Sequence, residues 1–274
     1  MLKLMYITNQ QDIAVLAQQC GVDRIFVDLE LLGKEQRQGH LNTVISRHSM
    51  EDVSVIREVI DRSELLVRVD PIHDGSKKQI DEVIARGADV VMLPMFTTAD
   101  EVKRFVEYVG GRAKVMPLLE TPQALARIHD ILEVKGIDEI HVGLNDLHLG
   151  MGLDFMFEIL SGRVAEYLAS VIKPTGIPYG FGGIARIGYG ILPAERILCE
   201  HYRLGSSMAI LSRSFCDAYK MTAAEVEEAF RIGVKQIRDF EGQLESYTKA
   251  QFDENFAVMK QIVDGIVAKK QAAR

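Results

Sequence analysis

Eight short apolar runs, each followed by a longer amphipathic stretch, narrow the possible folds of this chain more than any other feature. The runs fall at 2–8, 24–28, 65–69, 89–93, 113–118, 139–142, 178–181 and 206–211. Several, such as VVML and LLVRV, are apolar at consecutive positions. That is the pattern of strands covered on both faces of a parallel sheet. The stretches 12–19, 50–60, 76–85, 99–109, 122–132, 156–172 and 193–202 read as helices. Ser49 stands as a cap before Glu51 and Asp52, Thr98 is followed by Glu101 at capping-box spacing, and Pro122 opens a helix where its missing N–H costs nothing.

Eight strand–helix repeats predict the α/β class and a closed (β/α)₈ TIM barrel, a fold that takes about 250 residues. The 274 residues therefore hold one such domain, 1–274, with extra C-terminal helices. A doubly wound sheet is the alternative, but it announces itself with a glycine-rich turn after the first strand, and ITNQQD has no glycine. The tail at 220–274 carries two further helical patterns, 223–246 and 251–268. The second repeats Phe252, Phe256, Met259, Ile262, Val263 and Ile266 at helical spacing. With no ninth strand to cover, that stripe is expected to pack on a neighbouring subunit of a homo-oligomer.

Composition excludes several function classes. A formal net charge of −7 gives no basic surface for nucleic acid. No run of 18 apolar residues predicts a membrane span, and the N-terminal apolar run is too short for a signal peptide. Three cysteines, Cys20, Cys199 and Cys216, without finger or CxxC spacing read as reduced thiols in a cytoplasmic protein.

In a barrel the chemistry gathers at the carboxyl ends of the strands. Those ends carry Asp28 and Glu30, Arg68 and Asp70, Pro94, Glu120, the run Gly143-Leu144-Asn145-Asp146, and Gly182-Gly183. Glu120 and Asp146, at the mouths of adjacent strands, suit a hard divalent cation, Mg²⁺ first and Mn²⁺ or Co²⁺ as alternatives. One such carboxylate alone would read as a cap or an ion-pair partner. Arg68, among β-branched residues, is either half of an ion pair with Asp28 or Asp70, or a guanidinium aimed at an oxyanion. Asp28 and Glu30 share side-chain parity and can both face the mouth. The long 31–49 loop holds His40 and His48, with Arg37 and Arg47 available to an anionic substrate. The glycine-rich FGGIARIGYG lacks the GK[ST] of a phosphate loop.

Together, GVDRIFVDLE, LLVRVDP, ARGADVVMLPMFTTADEV, PLLETPQAL and GLNDLHLGMG, in this order over 21–152, resemble the HpcH/HpaI aldolase and citrate lyase family. The resemblance implies a pyruvate- or phosphoenolpyruvate-binding barrel. It implies Glu120 and Asp146 as metal ligands, Arg68 facing an enolate, and backbone N–H groups of Gly143, Leu144, Asn145 and Asp146 on the pyruvyl carboxylate. Pro94 joins that substrate-binding set, and Asp28 and Glu30 become water-holding carboxylates. A hexamer with exchanged terminal helices is the implied assembly.

The sequence departs from the pattern after the Asp-x-Glu step. The aldolase branch places a histidine there and the citrate lyase branch an aspartate, whereas Leu31 and Leu32 follow Glu30. The general base is therefore expected from the loop, His48 first and His40 second. No lysine ends a strand, which argues against a Schiff base. The expected activity is a metal-dependent carbon–carbon lyase of aldolase type working through a pyruvate-like enolate of a 2-oxo acid. The alternatives are a citryl- or malyl-thioester lyase, or a barrel that binds without catalysis.

Overall fold

The computed structural model describes residues 1–32 and 48–273. Eight parallel strands close a barrel in chain order: β1 (Lys3–Ile7), β2 (Arg24–Asp28), β3 (Glu64–Arg68), β4 (Val90–Leu93), β5 (Lys114–Leu119), β6 (Ile140–Val142), β7 (Tyr179–Ile184) and β8 (Met208–Leu211). This is the expected (β/α)₈ barrel with additional helices. By packing, the chain divides into two compact units, Met5–His141 and Met1–Leu4 with Val142–Arg274.

In the first unit, α1 (Gln11–Gln19), α2 (Met50–Val59), α3 (Ser76–Ala85) and α4 (Ala99–Val109) follow their strands. Every residue of β2 and β4 is buried, as strands covered on both faces must be. Each helix turns one apolar stripe inward: Val53 and Ile56, Ile80 and Val83, Val102 and Phe105 are all fully buried. Ser49 with Asp52 and Thr98 with Glu101 form reciprocal capping boxes, so both helices start where their side chains can satisfy the first free amides. The helix expected over 122–132 is instead two short ones, α5 (Pro122–Ala126) and α6 (Ile128–Leu132), separated at Arg127, which leaves helical geometry at φ −109°, ψ 20°.

The second unit holds α7 (Leu144–Gly150), α8 (Glu158–Ser161), α9 (Val164–Ile172) and α10 (Ala194–Leu204). The single helix expected over 156–172 is interrupted because Arg163 adopts a left-handed φ of 62°. Gly180 permits the close approach of β7 to β8: a Cβ there would lie 2.2 Å from the Met208 carbonyl oxygen.

The tail comprises α11 (Ala223–Glu228), a π-helical turn at Ala229–Gly233, α12 (Val234–Leu244) and α13 (Lys249–Ala272). Its apolar stripe is partly covered within the chain, with Phe252, Phe256, Ile262 and Ile266 left half-buried. Met259 and Val263 are fully buried within the chain, where α13 packs on α10 and α8. Asn255 ties the two helices together, accepting from Arg196 at 3.0 Å and donating to its carbonyl at 3.1 Å. Among the described residues, no helix is long and apolar enough to cross a membrane.

Candidate active site

The carboxyl ends of β2 and β3 build a charged cluster within the first unit. Their parallel register sets Asp28 directly beside Arg68. The guanidinium then meets the carboxylate edge to edge, Nε to Oδ1 and Nη2 to Oδ2, both at 2.8 Å. That fork geometry fixes direction as well as charge. Nη2 also lies 3.4 Å from Glu30 Oε2. Only 13% of the Arg68 side chain is exposed, and 2% of each carboxylate. Burial works against the arginine's charge, but Asp28, Glu30 and, more weakly, Glu120 outweigh it and raise the pKa further. Of the two ion-pair partners considered for Arg68, the structure therefore selects Asp28, reinforced by Glu30, and not Asp70.

Asp70 has other work. Its Oδ1 accepts the backbone N–H groups of Leu31 at 2.8 Å and Leu32 at 2.9 Å. Gln79 fixes Asp70 reciprocally, donating to Oδ2 at 2.9 Å and accepting the Asp70 amide at 3.0 Å. The chain leaving β2 is thereby pinned to β3.

Glu120 stands just beyond β5 and is 3% exposed. Its Oε1 accepts the Met95 N–H at 3.2 Å. Met95, which follows Pro94 at the end of β4, holds a left-handed φ of 53°. A non-glycine residue is strained there. The strain aims a backbone donor at Glu120, and nothing in the sequence MLPMF signals it.

His48 is buried, and its Nδ1 accepts the Asp28 N–H at 3.0 Å. An Nδ1 that accepts leaves the ring proton on Nε2, so the lone pair a base would use is already engaged. In this arrangement His48 supports the Asp28 backbone. His40, Arg37 and Arg47 lie outside the described residues.

In the second unit, Gly143 precedes α7 in extended geometry, and Leu144, Asn145 and Asp146 form its first turn. Amides in a first turn have no intrahelical partner. Asp146 is half-buried there. His148, two residues on, donates from Nδ1 to the Asn145 carbonyl. Burial above all lowers its pKa, while the backbone hydrogen bonds to Asn145 and Leu144 pull the other way. The glycines of β7 are spent on packing: at Gly182, φ 55°, a Cβ would lie 2.6 Å from Leu144. Among the described residues no three His, Cys, Asp or Glu side chains gather as a ready-made metal cage. A Mg²⁺-type ion needs only one or two carboxylates, and buried Glu120 and half-buried Asp146 have the oxygen chemistry it takes.

A closed eight-stranded barrel with arginine and carboxylates at its strand ends defines the class of protein, one whose site is built from loops at the carboxyl face. Within that class the chain belongs to the HpcH/HpaI aldolase/citrate lyase family, whose model matches residues 4–156. A hydroxypyruvate/pyruvate aldolase of Rhizorhabdus wittichii is 35% identical over 79 residues, 26% of this chain and 32% of that protein. A pyruvate kinase of Methylorubrum extorquens is 28% identical over 98 residues, 36% of this chain and 20% of that protein. The chain thus spans about a third or less of these relatives. The crystal structure of an HpcH/HpaI aldolase from Desulfitobacterium hafniense superposes with a TM-score of 0.59 at 18% identity, covering 87% of this chain and 93% of that one. The family is consistent with a carbon–carbon lyase.

Proposed function

We propose that the protein is a metal-dependent carbon–carbon lyase of aldolase type that works through the enolate of pyruvate or a related 2-oxo acid. The observation that carries this reading is Arg68, a permanently charged fork held rigid at a strand mouth by Asp28 and Glu30. A developing enolate oxygen needs a fixed positive charge that does not have to reorganise, and a clamped arginine supplies one.

A divalent ion, Mg²⁺ by donor chemistry, would be held by Glu120 and Asp146 and would supply Lewis-acid polarisation of the 2-oxo group. The backbone N–H groups of Gly143 to Asp146 would take the pyruvyl carboxylate, and Pro94 would line the same substrate site. Asp28 orients Arg68. Glu30, beside it, would hold the water that carries the proton between solvent and substrate. His48 serves by fixing the Asp28 backbone. A cytoplasmic setting and a homo-oligomer, a hexamer by the family resemblance, complete the reading.

Calorimetric titration with Mn²⁺ tests the metal assignment. We expect one ion per chain, bound more tightly when pyruvate is present, and no tight binding in Glu120→Ala or Asp146→Ala proteins that keep their fold by circular dichroism. Full occupancy in both variants would show that these carboxylates are not the ligands.

A further inference from the structure

Leu31 and Leu32 are exposed by 56% and 47%, immediately beyond the two carboxylates that hold Arg68. Large apolar side chains at single surface positions need no explanation. This pair differs in how it is held. Both of its amides end on one oxygen of Asp70, at 2.8 and 2.9 Å. Asp70 is itself 9% exposed and locked by Gln79 through two further hydrogen bonds. Glu30, directly preceding, reaches Arg68. Turning the leucines into the core would break both amide bonds to Asp70 Oδ1 and leave two backbone donors to find new partners. The fold holds an apolar surface against water at the edge of the Arg68 cluster.

We propose that Leu31 and Leu32 form the subsite for the acceptor, and that the acceptor is an aldehyde with an apolar alkyl or aryl tail rather than a charged or polyhydroxylated one. The proposal rests on the aldolase reading above. In the condensation, the pyruvate methyl group gives up one proton and a bond forms between that carbon and the aldehyde carbon. The aldehyde oxygen takes up a proton, and the product is a 4-hydroxy-2-oxo acid. Atoms and charge balance without oxidant or reductant. The pair follows Glu30, which reaches Arg68, so an aldehyde tail on it would extend away from the charged cluster. Neither leucine offers a hydrogen bond to a sugar-like hydroxyl or a terminal carboxylate, so a polar acceptor would lose its hydration without replacement.

A chain-length series tests this. The kcat/KM for condensation with pyruvate would be measured from acetaldehyde through hexanal, with glyceraldehyde as the polar comparison. We expect a rise of roughly two- to four-fold per methylene, the scale set by burying a CH₂ group, and poor use of glyceraldehyde. Leu31→Ser/Leu32→Ser should flatten the series, and Leu31→Met/Leu32→Met should restore it. Loss of pyruvate-methyl proton exchange in the wild-type protein would overturn the aldolase reading and this one together. Exchange with a flat aldehyde series would overturn the subsite alone. A fall in light-scattering mass for the Ser variant with the series intact would assign the pair to contacts between copies and overturn the subsite as well.

Discussion

At the scale of single residues, the site depends on which hydrogen-bonding capacities are already committed. Arg68 is an example in which the sequence left two partners and the structure chose one. The choice follows from register, because Asp28 and Arg68 are opposite each other on paired strands. Parity puts Asp28 and Glu30 on one face, and the register of β2 on β3 then sets Asp28 opposite Arg68. The role of His48 is not legible in this way. It follows from a contact to the backbone of a residue 20 positions away, and no spacing rule encodes a ring nitrogen that accepts an amide. The strained Met95 is equally silent, since its left-handed φ falls on a residue that is not glycine. The His48 assignment makes a specific prediction. His48→Gln, which keeps a side-chain acceptor, should retain the shape of the pH–rate profile, while unfolding free energy falls by about 1–2 kcal/mol from an imperfect replacement of a buried hydrogen bond. Loss of the limb near neutral pH, with stability unchanged, would return His48 to the role of base.

At the scale of elements, the strands were the easiest feature to read. Parallel strands covered on both faces must be continuously apolar, and VVML needs no other context. The helices that Ser49 and Thr98 cap begin and end within a residue of their expected bounds. Missed were the breaks at Arg127 and Arg163 and the whole of α7, a seven-residue helix without a Ser or Thr cap in front of it. Also missed was the far end of the strands. Arg24, the first residue of β2, is fully buried and bonded to Glu139 at 2.8 Å and to Glu64 at 2.7 Å, while Lys114 reaches Glu64 at 2.5 Å. Each residue alone looks like an ordinary strand boundary. Removing one partner from such a network leaves a buried charge, so Glu139→Ala should lower the unfolding free energy by about 3–5 kcal/mol. Acid should attack the same place. Burial raises the pKa of Glu64, but hydrogen bonds from Lys114 and Arg24 and their charges outweigh it, and the net value lies below the ordinary 4.5. A depressed folded-state pKa contributes stability that is fully present above 4.5 and is lost as pH falls through the folded value. Denaturant midpoints measured from pH 6 downward should therefore drop below about pH 4.5, less steeply in Lys114→Met. A Glu139→Ala cost under about 1 kcal/mol would show that the network contributes little.

At the scale of the molecule, the tail packs at least in part on its own chain. The sequence suggested that α13 needed a neighbour because its apolar stripe had no strand to cover. The structure covers the central part of that stripe on α10 and α8 of the same chain, with the Arg163 and Arg203 guanidinium groups over the Phe256 ring at 4.4 and 4.8 Å. The period of the stripe was legible, but its destination was not, because periodicity says which face is buried and not against what. Phe252, Phe256, Ile262 and Ile266 stay half-buried in the single chain. The central claim, that this barrel stabilises a pyruvate enolate, is tested most directly in D₂O. Metal-loaded protein and pyruvate are mixed with no aldehyde, and the methyl signal is followed by proton NMR. The signal should decay in the presence of wild-type protein and Mg²⁺, and Arg68→Lys should slow the decay roughly 10²-fold, the scale of losing one preorganised donor. A methyl signal as persistent with the metal-loaded wild-type protein as in a protein-free control would contradict it.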